Sequence, residues 1–149
     1  YEYELYLQDN ANMKVSWEDF NKRKKEDTIE HIYPQSPNDI YWKNRFGHLK
    51  PSEKRQYLNS LGNLLLLNRS KNSKLQNYDF DKKKCLLNKD GKEIGYYNGS
   101  YSEIEVSKHK EWTPDEIKKR GLLMLQFMEE RWKFSFDNWN ISKEDILFP

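Results

Sequence analysis

Cysteine is nearly absent: Cys85 is the one cysteine in 149 residues. The chain therefore has no internal disulfide and no zinc ribbon built on several thiolates. Glycine and proline are scarce, at six and five, and no Gly-rich phosphate-binding loop occurs. No apolar run reaches the length of a membrane span, no signal-peptide pattern opens the sequence, and there is no internal repeat or low-complexity tract. Charge of one sign is also lacking: the net charge is +2 although 34% of residues are charged. Any affinity for a polyanion must then come from local clustering, not from overall charge. What the chain does have is length enough for one domain with a real core and many aromatics, 15% with five Trp and ten Tyr. In a chain this short Trp42, Trp112, Trp132 and Trp139 read as core or domain-contact residues before they read as base platforms.

The basic clusters are Lys22-Arg-Lys-Lys25 and the set Arg69, Lys71, Lys74, Lys82, Lys83 and Lys84. Acids gather between Tyr1 and Asp9 and around Glu144-Asp145. That asymmetry suits one phosphate-facing side, although any single lysine is by default solvated surface.

The segment Asp27-Thr-Ile-Glu-His-Ile-Tyr-Pro-Gln35 sets an acid and a histidine side by side in a β-branched, strand-like run that Pro34 should end. Adjacent strand residues face opposite ways, so Glu30 and His31 share one site only if the backbone twists or bulges there. A second apolar run, Leu64 to Leu67, follows Gly62-Asn63, and Ser70 is placed to cap a short helix carrying Asn72 and Leu75. Phosphodiester hydrolysis needs a base for water and a cation to neutralise the phosphate. A histidine of ordinary pKa, about 6.5, is largely neutral near pH 7 and can take a proton. Carboxylate and amide oxygens suit a hard cation. Taken singly, each residue has a blander reading: a surface His–Glu pair, a Gly-Asn turn, a solvated helix asparagine. Their occurrence together and in order favours chemistry.

The order Glu-His-Ile-x-Pro-Gln, Gly-Asn-Leu and a following Asn resembles HNH endonucleases. The longer pattern is more specific: Ile29-Glu-His-Ile, Leu61-Gly-Asn-Leu-x-Leu-Leu, Asn72 with Asn77, Phe80-x-x-Lys83-Lys84, then Trp112 with Ile117 and Arg120. It resembles the C-terminal nuclease domain of GmrSD-type modification-dependent restriction enzymes and their anti-phage relatives, over roughly residues 27 to 125. The resemblance implies an α+β fold with a small ββα-metal core embedded in several packed α-helices. It implies a single nuclease domain over 1–149, with a core at about 27–85 and a helical part at about 100–149, cut from a larger bacterial cytoplasmic protein. It makes His31 the general base, Asn63 the residue that orients the loop behind it, and Glu30 and Asn72 the ligands of Mg²⁺ or Mn²⁺, with no structural zinc. Whether Glu30 meets the metal directly or through water is left open. Arg69, Lys71, Lys74, Lys83 and Arg120 are the expected nucleic-acid contacts, with Arg120 alternatively a buried brace. The implied partners are DNA, including modified phage DNA, and an N-terminal sensor or nucleotide-hydrolysing domain, with no membrane. The product ends would be 5′-phosphate and 3′-hydroxyl, by nicking or by double-strand cleavage. The alternatives are an inactive HNH-fold DNA-binding or interdomain module and a ribonuclease.

Helices are expected at Tyr1–Leu7, Ser52–Leu58 and Phe80–Leu87. The clearest signal is Thr113-Pro-Asp-Glu116, where threonine caps, proline takes the first turn and glutamate closes a capping box; that helix should run to Trp132. The sequence Asn88–Ser100, with three glycines, reads as loop or hairpin. His48 and His109 read as surface.

Overall fold

Residues 1–8 and 27–149 are described in the computed structural model; the basic cluster Lys22–Lys25 lies outside the described residues. The elements in order are α1 (Glu2–Gln8), β1 (Asp27–His31), α2 (Ile40–Phe46), α3 (Pro51–Asn59) and β2 (Leu64–Asn68). After these come α4 (Arg69–Leu75), α5 (Phe80–Cys85), α6 (Tyr101–Ser107), α7 (Pro114–Trp132) and α8 (Lys143–Leu147). The expected α+β class holds: the chain is mostly helical, and β1 and β2 form a two-stranded antiparallel sheet. Its contacts divide into two units, one of Leu65–Lys110 with the described part of Tyr1–Glu30, the other of His31–Leu64 and Glu111–Pro149.

In the first unit the run of leucines resolves by the strand period of two: Leu65 and Leu67 are buried and Leu66 is exposed. β1 alternates as well, but with its polarity inverted. Ile29 is 61% exposed and Glu30 only 4%, against the usual inward placement of the apolar residue. β2 runs directly into α4, whose cap is Asn68 and not the Ser70 expected from sequence; Ser70 N–H donates to Asn68 Oδ1 at 2.9 Å. α5 buries Phe80, Lys83 and Lys84, the i, i+3 and i+4 positions of one helical face. It stops at Cys85, two residues short of the expected end. Asn88–Ser100 is irregular as expected: an isolated antiparallel bridge joins Leu87 to Glu93, and a 3₁₀ turn spans Tyr96–Asn98. α1 packs on α6, where Glu4 accepts the Tyr101 and Ser102 N–H groups at 2.9 and 3.2 Å. One carboxylate thus satisfies two donors of the first helical turn.

The second unit is built on α7. Thr113 caps it, Pro114 opens it, and Glu116 accepts the Thr113 N–H at 3.2 Å, as the sequence signature implies. It ends at Lys133 in the left-handed region, φ 56°. Its buried residues are Ile117, Arg120, Gly121, Leu125 and Phe127, while Leu123 is 58% exposed, so burial is less complete than the run from Leu122 to Met128 suggests. α3 starts at Pro51, with Lys50 N–H taken by Glu53 at 2.7 Å. α2, capped by Asp39, adds Trp42 and Phe46 to the core beside Tyr33, whose ring stacks on Phe46 at 3.8 Å.

α7 lies against the 3₁₀ turn Leu61–Asn63 at a distance only glycine permits. A Cβ on Gly62 would stand 1.9 Å from the carbonyl oxygen of Ile117, a backbone atom that cannot swing aside. Gly62→Ala is therefore expected to destabilise the fold by about 3 kcal/mol, the upper end for overpacking. At Gly121 the nearest atoms are Leu147 methyls at 2.8 and 2.9 Å, which can rotate. Thermal melts of the two alanine variants should show the larger loss at position 62.

Candidate functional site

Glu30 and His31 are consecutive, and the peptide bond between them is where the first unit passes into the second. β1 keeps its alternation up to its last residue, with Glu30 buried and His31 half-buried.

On the Glu30 side, the carboxylate Oε1 accepts from Lys83 Nζ at 2.6 Å and from Tyr96 OH at 3.0 Å. Lys83 and Tyr96 are both fully buried. A carboxylate taken out of water needs such a partner, and the tyrosine hydroxyl adds a directional bond. Burial pushes the Lys83 ammonium below its ordinary pKa, and the Glu30 charge beside it opposes that shift. Asn72, on α4, donates from Nδ2 to Thr28 Oγ1 at 3.0 Å and to the Ile29 carbonyl at 3.1 Å. The Ile29 carbonyl can only accept, so the amide orientation is forced. Oδ1 is then on the other arm of the planar amide. The structure thus brings Asn72 to the strand that bears Glu30.

On the His31 side, the chain after the histidine is clamped. Ile32 N–H donates to the Asn63 carbonyl at 3.0 Å. The Asn63 side chain, fully buried, accepts from Tyr33 N–H at 2.7 Å and from the Trp112 indole N–H at 3.1 Å. It donates to the Tyr33 carbonyl at 3.0 Å and to the Leu58 carbonyl at 2.9 Å. All four hydrogen-bonding positions of the amide are used. Behind it, Arg120 Nη1 donates to the carbonyls of Gly62 and Leu64 at 2.9 and 3.0 Å.

Two of the five expected nucleic-acid contacts are buried, Arg120 in the bracing role that was its alternative reading. Lys83 is fully buried against Glu30, and Arg120 is 2% exposed and braces the turn that carries Asn63. Neither offers its charge to a phosphate, because each has spent it on an internal acceptor. Arg69 and Lys74 are exposed. Lys71 is half-buried, with Nζ paired to Glu103 and donating to the Asn98 carbonyl at 3.1 Å. Reasoning from sequence missed Lys83 and Tyr96 as partners of Glu30. The available signal was the spacing of Phe80, Lys83 and Lys84, which places both lysines on the apolar face of α5.

The donor set fits a hard divalent cation in kind: a carboxylate and an amide carbonyl, both oxygen donors. Among the described residues no group of three or more His, Cys, Asp and Glu side chains gathers, so the protein would supply few ligands. That is the pattern for Mg²⁺, which keeps waters and takes oxygens from substrate phosphate. The Lys83 ammonium already on Oε1 means that Glu30 would be shared between two cations.

This is a mostly helical α+β domain in which two asparagines are tied to the segment bearing an acid–histidine pair. The family model for the C-terminal domain of GmrSD restriction endonucleases matches residues 2–127, and the chain belongs to that family, a group of restriction-enzyme nuclease domains. Residues 128–149, with the end of α7 and α8, lie beyond the match. No curated protein and no solved structure matches the chain.

Proposed function

We propose that the chain is an HNH-type, divalent-metal-dependent DNA endonuclease acting in bacterial restriction of foreign DNA. The observation that carries this reading is the anchoring of the two asparagines. Asn72 holds Thr28 and Ile29, and Asn63 holds Tyr33, on either side of Glu30-His31. Solvated surface residues would not need those bonds. The order strand, strand, helix in β1, β2 and α4 supports the HNH assignment, as does membership of the restriction-endonuclease family.

In this reading Glu30 and Asn72 hold Mg²⁺ or Mn²⁺, which supplies charge neutralisation at the phosphate and leaving oxygen. His31, neutral, accepts the proton of the attacking water. Asn63 keeps the backbone beyond His31 in one conformation, so the imidazole is presented from a fixed end. Lys83 and Tyr96 hold the Glu30 carboxylate by one oxygen, which limits its rotation. Sensing of modified DNA and nucleotide hydrolysis belong, in this proposal, to a partner domain. Among the described residues no helix is long and apolar enough to cross a membrane.

The test is conversion of supercoiled plasmid by the chain with Mg²⁺, with Mn²⁺ or with EDTA. Nicked or linear product that needs the metal is the expected result. Equal conversion in EDTA, or an intact plasmid with a folded chain in every condition, would overturn it.

A further inference from the structure

The first unit contains a pocket of about 270 Å³ between α4 and the loop that follows α5. Ser70, Lys71 and Lys74 of α4 form one wall, and Lys92, Glu93 and Asn98 of the following loop form the other. The walls are tied together: Lys71 Nζ reaches across to the Asn98 carbonyl at 3.1 Å and pairs with Glu103. The loop wall is itself fixed. Asn98 Nδ2 donates to the Glu93 carbonyl at 2.9 Å, Lys92 N–H to Asn88 Oδ1 at 2.8 Å, and Asn88 N–H back to the Lys92 carbonyl at 2.8 Å. At its base Gly95 packs on the Lys84 carbonyl so closely that a Cβ would lie 2.2 Å from it.

The charges in the pocket do not cancel. Lys71 is balanced by Glu103, whereas Lys74 and Lys92 are exposed and make no ion pair among the described residues. Set against the Glu93 carboxylate, two lysines leave one net positive charge. That balance suits the single negative charge of a phosphodiester better than the dianion of a free phosphate monoester. The volume lies just below the range of whole-ligand pockets, about 300 to 1,000 Å³. The walls present lysines, two asparagines, a hydroxyl, the Glu93 carboxylate and Ile94, and no aromatic ring on which a base would stack.

We propose that this pocket between α4 and the Lys92–Asn98 loop is a subsite for one backbone phosphate of the DNA strand, held by Lys74 and Lys92. The inference rests on the nuclease reading and extends it to the loop between α5 and α6. α4 also carries Asn72, two residues before Lys74; side chains at that spacing face different ways on a helix, and Asn72 turns to Thr28 and Ile29, so the phosphate held in the pocket is a different one from the phosphate attacked. The pocket then fixes the position of the strand on the enzyme, a task of phosphate contacts in general.

The test is binding of a short mixed-sequence DNA duplex in EDTA, so that cleavage plays no part, measured across a salt series. Wild type is compared with Lys74→Gln/Lys92→Gln and with Lys119→Gln, an exposed lysine of α7, and thermal melts confirm that all three are folded. Neutralising one phosphate contributes about 0.9 to the slope of log affinity against log salt. The double variant is expected to lose about that much slope and bind several-fold more weakly, with Lys119→Gln unchanged. An unchanged slope in a double variant that still cleaves with metal would overturn the subsite and leave the nuclease reading standing. A loss near two would mean two separate phosphates, against a shared one. Displacement of the duplex by a nucleoside monophosphate at low concentration, from wild type but not from the double variant, would make the ligand a free nucleotide instead. A folded wild type that neither binds duplex at low salt nor cleaves would overturn both readings.

Discussion

His31→Ala is expected to lower plasmid conversion by about 10² to 10⁴, the usual contribution of a positioned general base, while leaving the melting temperature close to wild type. The two halves of that expectation have separate physical sources. The backbone beyond the histidine is held by Ile32 and Tyr33 N–H donating to Asn63, and alanine leaves both bonds in place. His31 itself is half-buried and lies outside the apolar core. Imidazole added to the medium should restore part of the lost rate to His31→Ala, since a small diffusible base can occupy the space the side chain leaves. Rate loss without such recovery and with a lowered melting temperature would assign His31 a structural role.

The second large effect is on stability. Lys83→Met is expected to cost about 3 to 5 kcal/mol, because it strands the Glu30 carboxylate at 4% exposure with its charge unmatched. For a chain of this length that corresponds to a fall in melting temperature on the order of 10 °C. The double variant Glu30→Gln/Lys83→Met should recover much of the loss, since it removes the charge that made the single change costly. Tyr96→Phe, which deletes the 3.0 Å hydroxyl bond and leaves the ion pair, should cost only about 1 to 2 kcal/mol. If Lys83→Met melts like wild type, the ion pair does not hold Glu30, and the view that it limits the carboxylate's rotation fails with it.

How far the fold was legible varies with the strength of local signals. α7 was plain because Thr113, Pro114 and Glu116 each favour the same start, and its long apolar run agrees with them. α2 was hidden: it is seven residues long, begins Ile-Tyr-Trp, and announces itself only by the Asp39 cap. The start of α4 was misjudged by attributing the cap to Ser70, because nothing in the sequence says that β2 ends without an intervening loop. Within the candidate site, Asn63 and Asn72 were visible as motif residues, and their anchoring roles were visible only in part. The inward turn of Glu30 was not foreseen, since a strand carrying Ile29 beside Glu30 ordinarily buries the isoleucine. Its counter-charge, 53 residues away in sequence, looked like one more member of a surface cluster. A lysine's length lets it serve either purpose, and only tertiary packing decides which.

The amide of Asn63 also does for this chain what its single cysteine cannot. It joins Tyr33, Leu58 and Trp112 through one small group, closing two long stretches of sequence without a covalent link. A disulfide would survive partial opening of its surroundings, but these four bonds hold only while water is kept out. The three stretches are therefore expected to open together, and the amides of Ile32 and Tyr33 should exchange with the surrounding core and not fray as a short strand end would. The same arrangement is insensitive to reducing conditions, and its strength is set by packing alone.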